Sequence, residues 1–106
     1  MAEDVGIWVV AGSFRARSGA EEELAAVLAN YVVLTRNRPH CRNVDLVLST
    51  TDSGRFLVIE KWDDPDAPRA HLDDPETVAM AEAAVPLLVA KPDLDLYDSV
   101  SAHDLE

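Results

Sequence analysis

Cysteine occurs once in this sequence, at Cys41. A single thiol excludes an intrachain disulfide and any cysteine-built metal cluster, and it fits a reducing compartment. Basic residues are also scarce: 9 Lys and Arg stand against 20 Asp and Glu, a net charge of −11. Nucleic acids and anionic bilayers are held by clustered Lys and Arg, so neither is expected as a partner. With only 4 glycines, the chain has no Gly-rich phosphate loop, dinucleotide fingerprint or nucleophile elbow. The histidines, His40, His71 and His103, are scattered and do not form a spaced metal motif. No apolar run is long enough to cross a bilayer, and the opening MAEDVGIW lacks the basic and apolar regions of a secretion signal. The expectation is a cytoplasmic protein without flavin, heme or metal.

What the chain does have is the patterning of one domain over residues 1–106, with a core at about 6–100 and an acidic C-terminal tail. Ile7 to Ala16 reads as a strand with apolar residues on both faces: Ile7, Val9 and Ala11 alternate with Trp8, Val10 and Phe14. Ser18 and Glu21 match a capping box. The helix they open repeats Leu24, Val27, Leu28, Tyr31 and Leu34 at helical spacing, has Arg36 and Arg38 at its negative end, and stops by Pro39. Asn43 to Thr50 and Phe56 to Trp62 are strands joined by the turn Thr51-Asp52-Ser53-Gly54, an antiparallel hairpin. Asp64 or Asp66 can cap a short helix that carries Pro68 in its first turn. Asp74-Pro75 opens another helix along Val78, Ala81 and Val85, broken near Pro86. Leu94, Leu96 and Val100 mark a last strand.

The order is β-α-β-β-α-β with an interrupted second helix. This predicts an α+β, ferredoxin-like fold: one four-stranded antiparallel sheet with its helices on one face. The apolar pattern of the opposite face then calls for a second copy, a sheet-to-sheet homodimer.

The segment from Arg55 to Leu72 holds the candidate chemistry. Its strand ends on Trp62, acidic residues and prolines break it, and the short helix that follows presents His71 nine residues later. An imidazole titrates near neutrality and can serve as a base, while an indole can form the wall of an aromatic pocket. Each has a bland alternative: Trp62 as core packing, His71 as a ring bonded at a helix end. His40 and His103 read as surface residues.

Nearly the whole chain resembles the antibiotic biosynthesis monooxygenase domains of the dimeric α+β barrel superfamily. The likeness runs through Val9 to Glu23 and through Pro39-His40-Cys41-Arg42. It is strongest in Phe56 to Asp64 and in Ala70-His71-Leu72, which look like the family's strand-Trp-acidic-helix-His-Leu signature. The resemblance implies a dimeric barrel and a function among oxygenation of quinols or aromatic polyketides, heme degradation and unassigned roles. Trp62 matches the tryptophan of the cofactor-independent oxygenases. Their asparagine corresponds to Val58, their tyrosine to Pro68, and their arginine falls near Glu82. The Asn, Trp and His of the heme-degrading branch correspond to Gly12, His71 and Ala81, which disfavours heme degradation. The resulting expectation is a cofactor-independent monooxygenase acting on a quinol or aromatic polyketide-like molecule. In it His71 is the base, Trp62 the wall, and Val10, Phe14, Tyr31, Val58 and Met80 the lining. A non-catalytic homodimeric module that binds a small ligand is the alternative.

Overall fold

The computed structural model describes residues 6–100. Strand β1 (Trp8–Arg15) leads into helix α1 (Glu21–Thr35). The hairpin β2 (Cys41–Leu48) and β3 (Arg55–Trp62) follows, then the short helix α2 (Ala67–His71). Helix α3 (Pro75–Ala84) runs into a single 3-10 turn, Val85–Leu87, before β4 (Asp93–Asp98). The sheet order is β2-β3-β1-β4 with every neighbouring pair antiparallel, the expected ferredoxin-like arrangement. His103 and the acidic tail lie outside the described residues.

Alternation along the strands sorts the two faces of the sheet. Phe14 lies opposite Phe56, Gly12 opposite Val58 and Val10 opposite Glu60. These residues face the helices and are buried. Phe14, Phe56 and Val58 pack on Leu24, Leu28, Tyr31 and Val32 of α1 and on Ala84 and Leu87 beyond it. Val9, Ala11, Leu57 and Ile59 occupy the opposite face and remain half-buried. Asp45 pairs with Ile59 and Asp95 with Ala11, so acidic side chains of the edge strands flank that apolar centre.

Four local expectations are corrected. The capping box does not form: Ala20 is the N-cap of α1 and no side chain caps it. Gly19 turns with φ of 88°, a left-handed conformation open to glycine, and this delays the helix start by two residues. Glu21 therefore stands in the first position and its carboxylate accepts from the Gly19 N–H at 2.9 Å. Leu34 is exposed on α1, where Val32 and Thr35 complete the buried stripe instead. Arg36 and Arg38 leave the helix end: Arg36 donates to the Val44 carbonyl and Arg38 reaches the start of α3. On α3 the buried residues are Thr77 and Ala84, with Met80 half-buried between them. Val78 and Val85 are exposed. The helix is rotated by about one position because Thr77 must turn inward to meet His71.

Candidate functional site

The site forms where α2 doubles the chain back over the end of β3. Asp64 accepts from the Asp66 N–H at 2.8 Å, an Asx turn that starts the reversal, and Pro68 sits in the first turn of α2 where no N–H is needed. The reversal brings the His71 ring to 5.0 Å from Trp62 and 5.6 Å from Tyr31, measured between ring centroids.

His71 is only 2% exposed and both of its nitrogens are engaged. Nδ1 lies 2.7 Å from the Asp74 carboxylate, so this nitrogen carries a proton and donates. Nε2 stands 3.2 Å from each of the Thr35 and Thr77 hydroxyls, and in the neutral ring it accepts from them. Asp74, expected to cap α3, makes no side-chain cap bond. Its carboxylate is committed to His71 and to Arg38, 3.2 Å away.

Glu60 is the second polar centre. Strand alternation puts its carboxylate on the buried face between Val58 and Trp62, and it is 5% exposed. The Tyr31 hydroxyl donates to Oε2 at 2.5 Å, and the Trp62 indole N–H donates to Oε1 at 3.0 Å. Burial, reinforced by the Glu60 charge, pushes the Tyr31 phenol well above its ordinary range. Tyr31 is therefore a fixed donor. The Cys41 thiol is pushed up to about 11, chiefly by burial and then by Glu60, which keeps it an unreactive thiol.

These groups close one end of a cavity of about 90 Å³. Val10, Gly12, Phe14 and Val58 form its floor; Pro68, Leu72 and Met80 form its roof; Leu94 and Leu96 form the β4 side. Among the described residues, Tyr31, Glu60 and His71 are the ionisable groups that line it. Val10, Phe14, Tyr31, Val58, Met80 and His71 are thus brought together as lining residues. Trp62 is not one of them: it is 1% exposed and lies behind His71 and Glu60. A dry cavity of 150 Å³ holds benzene, so a ring can fit here only if one of the walls gives way. Met80 is the most adaptable side chain in that roof. Beyond it, a second apolar hollow of about 380 Å³ lies between α3 and β4 and shares Phe14, Leu72, Thr77, Met80 and Leu94 with the first.

Among the described residues, the candidate metal ligands are already engaged, and the position of the heme-degrading branch's asparagine has no room for it. Ligand atoms of His71, Asp74 and Glu76 lie within 4.8 Å of one another, but the Arg38 guanidinium already binds both carboxylates. These hydrogen bonds, against the cost of burial, hold the Glu76 carboxyl down at about 2. At Gly12, where the heme-degrading branch has asparagine, even a methyl group would come within 2.7 Å of the Leu94 side chain.

The helix-sheet order, Trp62 at the strand end and His71 on the returning helix coincide with a family pattern. The antibiotic biosynthesis monooxygenase model matches residues 7–83. The chain belongs to that family. Its fold is shared with Rv0793 from Mycobacterium tuberculosis, at a TM-score of 0.84 and 22% identity over 91% of this chain and 97% of that one. A putative antibiotic biosynthesis monooxygenase from Nitrosomonas europaea superposes at a TM-score of 0.86 and 12% identity, covering 95% and 97% of the two chains. A putative member from Caulobacter crescentus gives 0.82 and 23%, covering 91% and 92%. No curated protein matches the chain.

Within this antibiotic biosynthesis monooxygenase domain, sequence reasoning missed Glu60, Thr35, Thr77 and the second role of Asp74. Glu60 had a readable signal. It shares its period-2 face with Phe56, Val58 and Trp62, and an acid on an apolar strand face demands partners. The threonines had none, because their function depends on two helices meeting across His71.

Proposed function

We propose that this chain is a cofactor-independent monooxygenase acting on an electron-rich phenol or enol, a quinol or an aromatic polyketide-like ring. One observation carries the reading: an apolar cavity ends in the ionisable groups Glu60, Tyr31 and His71. Apolar walls favour a flat aromatic guest and keep water from the carbanion, and a buried base can take its proton. The anion of an activated ring methylene then gives one electron to dioxygen. The radical and superoxide combine into a C–O bond, and the peroxide recovers the proton. Cleavage of O–O with loss of the remaining methylene hydrogen releases water and leaves a ketone, so that CH₂ and O₂ become C=O and H₂O. His71 and Trp62 support the polar end, and Val10, Phe14, Val58 and Met80 hold the ring.

Sheet-to-sheet pairing with a second copy through Val9, Ala11, Leu57 and Ile59 belongs to the same proposal, as does a cytoplasmic location suited to one free thiol. The test is oxygen uptake with anthrone. Uptake with formation of anthraquinone is expected from the parent, loss of it in Met80→Trp, a marked fall in His71→Ala and no change in His40→Ala. His40 is exposed and merely pairs with Asp63. The small size of the inner cavity favours a second reading, a non-catalytic binding module. Anthrone bound without oxygen uptake would select it.

A further inference from the structure

Among the described residues three ionisable groups face the cavity, and their existing bonds decide which of them can meet a guest. Tyr31 spends its hydroxyl hydrogen on Glu60. His71 uses Nδ1 on Asp74 and Nε2 on the hydroxyls of Thr35 and Thr77, with Glu76 3.9 Å from Nδ1. An imidazole has no third site, so His71 can accept from a guest only by breaking this set. Glu60 differs. An ionised carboxylate accepts at about four lone-pair positions, and Tyr31 and Trp62 take one on each oxygen. Accepting capacity remains on a group that lines the cavity. Its two donors also fix its orientation from opposite sides, α1 and its own strand end, as a preorganised base requires.

We infer that Glu60, not His71, takes the proton from the hydroxyl or activated methylene of the bound ring; this rests on the oxygenase reading above. The transfer breaks the guest's O–H or C–H bond, leaves the electron pair on the guest, and forms an O–H bond on the Glu60 carboxylate. His71 then makes no hydrogen bond to the guest and serves to hold Thr77 and the α3 roof against α1.

The test needs neither oxygen nor turnover. 2-Naphthol becomes strongly acidic when excited by light, and in a site away from bulk water it emits as naphtholate only when a group basic enough to take its proton is in hydrogen-bond reach. With protein in excess, so that the probe is bound, naphtholate emission is expected from the parent and from His71→Gln. It should be lost in Glu60→Gln, which keeps the shape of the site and the acceptor for Tyr31. Glu60→Asp, charged but shorter, should retain a weakened band, and it provides a second variant if the glutamine form does not fold. Naphtholate emission that survives in Glu60→Gln, or vanishes in folded His71→Gln, overturns the assignment, as does failure of the parent to bind the probe. A parent that ionises naphthol yet consumes no oxygen with anthrone refutes the oxygenase reading and leaves Glu60 as the proton acceptor.

Discussion

Glu76 carries the plainest pH signature in the molecule. Arg38 lowers its carboxyl from the ordinary 4.5 to about 2, so the folded state holds fewer protons than the unfolded state between those values. The stabilisation is complete above the ordinary value and is lost as pH falls from there through about 2. Glu76→Gln should therefore be less stable than the parent at neutral pH, and the gap should narrow across that acid window in urea titrations. A gap that stays constant would assign the effect to packing. The pairing itself was invisible in the sequence. Arg38 and Glu76 are separated by two strands and a helix, and Arg38 read as a helix-end cation. By contrast Tyr31 and Val58 could be placed on one lining, because period 3.6 and period 2 fix a side chain's face wherever its element packs.

At the level of elements, the strands and helices were legible because each has its own punctuation: Gly54 with φ of 86° in the hairpin, Pro68 and Pro75 in helix first turns. Less legible were rotations within an element. Val78, Ala81 and Val85 formed the obvious stripe of α3, yet the helix turns Thr77 and Met80 inward, a choice set by His71 on another element. Gly12 shows the same dependence between strands. A Cβ there meets Leu94 at 2.7 Å and Phe14 at 3.1 Å, atoms that are themselves cavity lining. Gly12→Ala should push Leu94 aside at a stability cost of no more than about 1–3 kcal/mol, while weakening naphthol binding. Calorimetric melting and a fluorescence titration on the same variant measure the two effects, and unchanged affinity would mean that the guest lies elsewhere.

For the whole molecule, the net charge of −11 and the apolar sheet face pull in opposite directions. In the proposed dimer a face made of Val9, Ala11, Leu57 and Ile59 would favour a second copy, but two such copies would repel, with Asp45, Asp93 and Asp95 flanking that face. Salt screens this repulsion and leaves apolar burial intact. Dimer affinity should therefore rise with ionic strength in sedimentation equilibrium, and Ile59→Asp should give a folded monomer. A parent that is monomeric at micromolar concentration in high salt would remove the sheet face as an interface. Among the described residues no helix is long and apolar enough to cross a membrane.

Among the described residues, strand β4 pairs with β1 alone, and its Leu94 and Leu96 are each 50% exposed while forming one wall of the cavity. Of the strands that line the cavity it is thus the one with the fewest ladder bonds to break, and on the function proposed above it is a route by which a guest larger than the resting cavity would be admitted. In deuterated water its amides should exchange sooner than those of β3, which is paired on both sides. Saturation with a ring compound should slow that exchange. If β4 is no faster than β3, or unaffected by the guest, admission must pass instead under the Met80 roof.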